Sequence, residues 1–432
     1  MTAPAPTFAE FFAGIGLMRL GLESAGGAVG QAAWRCAFAT DYCGDKRAMY
    51  ARHFGDTPDG QDVHTLSEDA VPTVDLATAS FPCTDLSLAG GRAGLHRGES
   101  SAFWGFHRVL SEMQERMPRA VLLENVPGLI TSNRGGDFLG LLQAMNDLGY
   151  AVDPVVIDAR GFVPQSRARL FVVCVRAQEG PQDRVAGSGA SGVSGGDPFA
   201  TPRGAALWPT RLRAFIETHR DDVAWNCPAM PDPPADSGTR IDDILKDPPD
   251  NDPAWWSAAR TAYLYQQMYP RHQTWIEERR NANEFAYATA FRRVRAVHPK
   301  DGGDGSKRSM AELRTDGIAG CLRTPKGGSA RQIVVRVGRG RFDARHLSGR
   351  ECAALMGARD YKLEGSESKA LFGFGDAVCV PAVAWLAEHH AGLRDITAKA
   401  ADSKRPAGTS VDPTITRTML SAKAPLKATD FA

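Results

Sequence analysis

The chain has 432 residues, of which 43% are hydrophobic and 23% charged, and a formal net charge of +1. At about 150 residues per domain this is two to three domains' worth, and the composition excludes wholesale disorder, collagen and coiled coil. No apolar run approaches the roughly 20 residues that span a bilayer, and the N-terminus carries an acid but no basic segment, so neither a membrane protein nor a secretory signal is expected.

From Phe8 to about Arg176, strand-like and helix-like stretches alternate. Strands are expected at 71–81, 119–123, 152–158 and 169–175, and amphipathic helices at 16–25, 45–53, 103–115 and 138–148. In the last helix Leu139, Leu142, Met145 and Leu148 recur at helical spacing, and Gly149 follows as a stop. Such alternation predicts an α/β fold, a doubly wound, mostly parallel sheet whose ligands sit at the carboxyl ends of the strands. The segment 186–198 is nearly all Gly, Ser and Ala and reads as a flexible connection. Beyond it the charge is segregated. Residues 221–252 hold nine aspartates against one arginine and one lysine, net −7, and read as a solvated face. Residues 258–350 hold 19 Lys and Arg against eight acids, net +11, which leaves nucleic acid or a plain solvated surface as readings. Residues 378–389 look helical, and from about 393 a Lys, Ala, Thr, Ser and Pro tail is expected to be disordered. Eight cysteines are scattered with none at CxxC or CxC spacing, so no metal site is expected and the thiols read as reduced.

Four short segments carry chemistry. Phe12-Ala13-Gly14-Ile15-Gly16 opens a helix after an apolar run. It lacks the third glycine of a pyrophosphate fingerprint, so a nucleoside-type cofactor suits it better than a dinucleotide, and Asp41 ends a second strand where an acid could clasp ribose hydroxyls. In Phe81-Pro82-Cys83-Thr84-Asp85-Leu86-Ser87 a thiol stands just past a strand behind a stiffening proline, and the Gly- and Ser-rich stretch 88–101 follows as a candidate mobile loop. That thiol is either a small buried filler or an attacking thiolate. Glu124 in Leu123-Glu124-Asn125-Val126 ends an apolar strand, where it is a general acid of raised pKa, a cap or a structural ion pair. Gln165, Arg167 and Arg169 alternate along a strand, forming either a fork for oxygens on one face or an exposed charged edge.

In their order, these four segments resemble the cytosine-5 DNA methyltransferases of bacterial restriction–modification type. Residues 315–335 with 345–357, and 372–386, extend the resemblance to the closing segments of that family. It implies S-adenosylmethionine as cofactor, with Phe12 against the adenine and Gly14, Ile15, Gly16 and Leu17 around the methionine part. Asp41 would hold the ribose, with Tyr42 against the base, and Asp62 beside Val63 would accept from adenine N6. Pro82, Ala377 and Val378 complete the cofactor set. Cys83 would attack carbon 6 of a flipped-out cytosine, Glu124 would bond ring N3, Arg167 would support the substrate carbonyl, Asn125 would help hold the site, and Arg169 would brace the pocket. One departure is that Gly375-Asp376 stands where the family usually has Gly-Asn. The implied organisation is a catalytic domain at 1–180, a target-recognition domain at 181–345, a return to the catalytic domain at 346–392, and the tail at 393–432. The implied partner is double-stranded DNA, with a cognate restriction endonuclease alongside, no membrane and a monomeric chain in the cytoplasm. The alternatives are the same chemistry on tRNA, a non-enzymatic DNA-binding scaffold and a nicotinamide oxidoreductase. The large basic insert disfavours the first. Intact Cys83, Glu124 and Arg167 disfavour the second. The missing glycine disfavours the third.

Overall fold

Four successive strand–helix units build the first sheet: β1 (Thr7–Phe11) and α1 (Leu17–Ser24), β2 (Arg35–Thr40) and α2 (Gly44–Phe54), β3 (Leu76–Ala79) and α3 (Ala102–Met113), β4 (Ala120–Asn125) and α4 (Gly136–Asp147). Two further strands, β5 (Tyr150–Asp158) and β6 (Ala168–Arg176), complete it. The computed structural model describes residues 5–26, 34–82, 102–176, 196–296, 304–324, 331–363 and 365–402. The strand order is β2-β1-β3-β4-β6-β5, with β1 to β4 mutually parallel and β6 antiparallel to both β4 and β5. The chain winds one way from β1 to β2 and the other way from β3 to β4. With right-handed crossovers this puts α1 and α3 on opposite faces. The central strands β3 and β4 are mostly apolar and wholly buried because both faces are covered. Expected strand 71–81 contracts to Leu76–Ala79, since Pro72 and the charged Asp75 precede the pairing residues.

After α5 (Thr210–Thr218), α6 (Ala258–Gln266) and α7 (Pro270–Arg280), a second sheet forms from β7 (Ala286–Ala296), β8 (Lys307–Arg314), β9 (Ile333–Gly338) and β10 (Arg341–His346). It is antiparallel, in the order β10-β9-β7-β8. Its own small core joins Leu264, Met268 and Ile276 of α6, α7 and their connection to Ala288, Val335 and Val337 of the sheet. Leu207, Trp208, Phe215, Trp225 and Ile244 pack instead into the core of the first sheet. The acidic stretch is more than a solvated face: Asp247 and Asp250 bind the buried Arg336 guanidinium at 2.8 and 2.7 Å.

The chain then returns to the first core through α8 (Gly349–Leu355), α9 (Glu367–Asp376), α10 (Val380–His389) and α11 (Ala391–Asp402). The expectation of disorder from 393 is corrected for 393–402, which are helical, with Leu393 and Ile396 buried. Residues 403–432, and most of the Gly- and Ser-rich connection, lie outside the described residues. The expectation that no apolar run nears 20 residues is also corrected. The stretch Glu367–His389 is long and apolar enough to cross a membrane by length and composition, an 18-residue window of it having mean hydropathy 1.7, but 61% of that window is buried inside the protein and the stretch is broken into α9 and α10.

A buried charge cluster ties this return to the first sheet. Asp153 of β5 accepts from Arg203 Nη2 at 2.5 Å and pairs with His390 Nε2 at 3.1 Å, all three side chains being inaccessible. Removing one partner of a buried pair strands the other. Arg203→Met is therefore expected to cost about 3–5 kcal/mol in urea unfolding, and adding Asp153→Asn should recover part of it.

Candidate active site

Because β1 to β4 are parallel, their carboxyl ends share one edge of the sheet, and antiparallel β6 starts at that same edge. At the end of β1 the backbone is bent into the left-handed region at Phe12 (φ 56°), Gly14 (φ 59°) and Gly16 (φ 79°). For a bulky aromatic this costs about 1–3 kcal/mol, a strain that concentrates at functional turns. A Cβ on Gly14 would stand in open space, with nothing nearer than the Phe12 carbonyl at 3.9 Å, so the turn presents bare backbone there. Gly16 serves packing instead. A Cβ on it would lie 2.3 Å from the Phe54 ring and 2.8 Å from Tyr50. Ile15 and Leu17 are buried under the turn.

Asp41, one residue past β2, is buried and locks the turn from beside it. Its carboxylate accepts from the Gly14 and Cys43 N–H groups, both at 2.8 Å. Each oxygen keeps a lone pair for a further donor. Tyr42 next to it is 64% exposed, Asp62 is exposed with its carboxylate accepting from His64 N–H, and Val63 is buried. The C-terminal return closes on the same turn: the Tyr361 hydroxyl donates to the Ile15 and Met49 carbonyls at 2.8 and 3.1 Å. Asp376 accepts from Lys46 Nζ of α2 at 2.8 Å. Burial works against the Lys46 ammonium, but Asp376 outweighs it and raises its pKa. Ala377 and Val378 follow in the link between α9 and α10, Val378 buried. Beneath the turn Glu10 is wholly buried, and burial pushes its carboxyl up to about 8, so it is largely neutral at pH 7.

At the end of β4, Glu124 is buried and pairs with Arg169 Nε at 3.0 Å across to β6. Burial raises its pKa, opposed by Arg169, then Arg167 and a Ser80 hydrogen bond. Asn125 donates to the Phe81 carbonyl at 3.2 Å, fixing the end of the turn through the half-buried Pro82. Cys83 and stretch 88–101 lie outside the described residues.

Arg167 and Arg169 make different contacts. The Arg167 guanidinium is 1% exposed and donates to the Leu322, Gly375 and Ala377 carbonyls at 2.8, 3.1 and 2.5 Å, and to Cys321 Sγ at 3.2 Å. It stitches three chain segments together, and Arg169 is the one that faces the carboxylate. Gln165, also buried, bonds the Leu355 carbonyl and the Leu322 N–H. The side chains that sequence reasoning missed are Ser80 and Lys46. An acid at 376 where an amide is usual was the signal for a cation such as Lys46. Cys321 sits among these arginines. Burial disfavours its thiolate, but Arg167, Arg169 and Arg323 outweigh that and lower its pKa.

The profile of a C-5 cytosine-specific DNA methylase matches residues 6–391. The chain is 34% identical over 168 residues to the type II methyltransferase M.BsuFI of Bacillus subtilis, covering 39% of this chain and 38% of that one. It is 29% identical over 170 residues to M.HhaI of Haemophilus parahaemolyticus, covering 39% and 49%. The aligned part thus spans from about two-fifths to half of the length of these relatives. Among solved structures, S. pombe Dnmt2 methyltransferase superposes with a TM-score of 0.52 at 15% identity, over 89% of this chain and 98% of that one. Entamoeba histolytica methyltransferase EhMeth does so with 0.54 at 11%, over 91% and 98%. At these identities the structures share the fold.

Proposed function

The chain belongs to the C-5 cytosine-specific DNA methylase family, and from that membership and the site we propose that it methylates carbon 5 of cytosine at a defined sequence in double-stranded DNA, with S-adenosylmethionine as donor. The observation that carries the reading is Glu124: a buried carboxyl of raised pKa, held by Arg169 beside the turn that leads into Cys83.

The residues at the β1 turn fit the cofactor. Bare backbone at Gly14 leaves room for close approach, and Asp41 retains acceptor capacity for two ribose hydroxyls. Phe12 and Tyr42 supply aromatic faces for adenine, and Asp62 beside Val63 supplies an acceptor for its amino group. Ala377 and Val378 close the site from the C-terminal side. When bound, the cofactor supplies an electrophilic methyl group on its sulfonium.

The chain's residues make the base a nucleophile. Cys83 thiolate adds to carbon 6, and Glu124 donates its proton toward ring N3, taking up the developing charge. Arg169, paired with Glu124, supports the carbonyl next to N3. Arg167 acts through position, holding the 322 and 375–377 segments against the site. Once carbon 5 is methylated, a water takes its proton, the C–H electrons re-form the 5,6 double bond as the C6–S bond breaks and the thiolate leaves, and N3 returns its proton to Glu124. The target base must leave the helix stack to reach these groups, with 88–101 as the closing loop. Residues 181–345 form the recognition region in this reading, with the second sheet as its core. The protein works as a monomer in the cytoplasm, with a cognate restriction endonuclease as partner.

Methyl transfer from labelled S-adenosylmethionine to duplex DNA and to tRNA tests the reading. Transfer to DNA is expected, with bisulfite sequencing of DNA from expressing cells showing one short methylated motif. Transfer to tRNA alone would overturn it.

A further inference from the structure

Beside the second sheet, two arginines and a histidine gather around one tryptophan, a third arginine acts on the histidine, and no acid pairs with them among the described residues. Trp256 is pinned to β10, its backbone N–H donating to the Ala344 carbonyl at 2.9 Å. Arg260, in the first turn of α6, lies over the indole with its guanidinium carbon 3.8 Å from the ring centroid, and Arg292 of β7 approaches the same ring at 5.5 Å. His346, the last residue of β10, packs edge-on at 4.9 Å and 72°. Its Nε2 lies 3.1 Å from Arg260 Nη2. Since a guanidinium only donates, that nitrogen is the acceptor and the ring is neutral. Arg331, just before β9, exerts the strongest charge effect on the ring.

The cluster differs from the ion-paired arginines of the same sheet in having no acid partner among the described residues. The buried Nε–H groups of Arg292 and Arg331 have no hydrogen-bond partner among the described residues. On the same sheet Arg295 is matched by Glu312 at 2.7 Å, and Arg336 by Asp343 at 2.8 Å. The mutual repulsion is felt by the groups themselves. Burial, then Arg331, Arg260 and Arg292, push His346 down to about 4, and burial with Arg260 lowers the Arg292 pKa. Unmatched like charge with idle donors is completed by an anion.

We propose that Trp256, Arg260, Arg292, Arg331 and His346 form an anion pocket that seats one phosphodiester of the DNA backbone. The inference rests on the DNA reading above. Charge decides against a base edge, which is neutral and cannot offset three guanidinium groups. Continuity favours the duplex as the source of the phosphate. Beyond the cluster β7 carries exposed Arg293, Val294 and Arg295, and Arg293 feels Arg323, which in turn acts on Cys321 beside Arg167 and Arg169. The exposed basic end of β7 therefore continues directly from Arg292 of the cluster. A seat on it would set the register of the duplex without reading its sequence.

The test compares the full chain with Arg260→Gln, Arg292→Gln and Arg331→Gln. Affinity for target and non-target duplexes is measured between 50 and 200 mM salt, alongside methyl transfer. Each variant is expected to weaken both duplexes equally, by about tenfold, and to flatten the salt dependence by about 0.9 in log–log slope, the value of one phosphate. The methylated motif should stay the same. An unchanged slope in variants that still methylate would overturn the proposal, as would relaxed discrimination at one base pair, which marks a base contact. If the wild-type chain methylates no DNA, the parent reading fails separately, and thermal unfolding with inorganic phosphate still examines the pocket. A rise in Tm that the variants lose supports an anion seat, and no rise overturns it.

Discussion

Cys83→Ser is expected to lose methyl transfer by about 10⁴-fold or more while keeping its fold and its affinity for duplex DNA. Carbon 5 of cytosine is too electron-poor to take a methyl group unless a nucleophile first adds at carbon 6. A thiol provides that nucleophile because a useful fraction ionises near neutral pH, and a serine hydroxyl does not. The neighbours say where the attack comes from. Pro82 stiffens the turn, and Asn125 holds its first carbonyl at 3.2 Å, one strand away from Glu124. A duplex with 5-fluorocytosine at the target makes the result unambiguous. The wild-type chain should form a covalent adduct that survives denaturing electrophoresis, because the fluorine at carbon 5 cannot leave as a proton. Cys83→Ser should form none, and an adduct in that variant would remove Cys83 from the role.

The edge of the first sheet was legible in the sequence because its strands are mainly apolar and a distinctive residue stands at or just past the end of each: Phe12, Asp41, Pro82, Glu124. The second sheet was not. Strands β7 and β8 bury only short apolar runs and turn Arg-rich faces outward, so they read as charge and not as strand. Helices α6 and α7 fill their small core with little more than Leu264, Met268 and Ile276. The spacing of Gln165, Arg167 and Arg169 placed them on one face of a strand but not with their partners. Those partners depend on the register of β6 on β4 and on carbonyls more than 150 residues away at 322, 375 and 377. Helix α11 was missed because two buried side chains, Leu393 and Ile396, decide it against a polar composition. Asp376 looked like a departure from its family, and Lys46 on a distant helix supplies the charge that makes it a matched pair.

Glu124→Gln is expected to lower kcat by about 10²–10⁴-fold with little change in cofactor affinity, since it keeps the shape and removes the proton. The pH dependence separates this from a packing defect. Burial raises the Glu124 pKa, and Arg169 is the largest opposing influence. The reaction needs the protonated form, so activity should fall as pH rises through that pKa, and this alkaline limb should vanish in Glu124→Gln. Arg169→Gln removes the main influence that lowers the pKa, so its limb should move to higher pH even as its maximal rate drops. Stability carries the same signature with a fixed sign. A carboxyl whose pKa is higher folded than unfolded binds its proton more tightly in the native state. Its contribution is complete below the ordinary carboxylate range and is lost as pH climbs through the folded value. Urea unfolding of the wild type should therefore weaken over that interval more steeply than unfolding of Glu124→Gln. If the two slopes coincide and the alkaline limb persists in the variant, another group sets it, and Glu124 is a structural partner of Arg169 and not the acid.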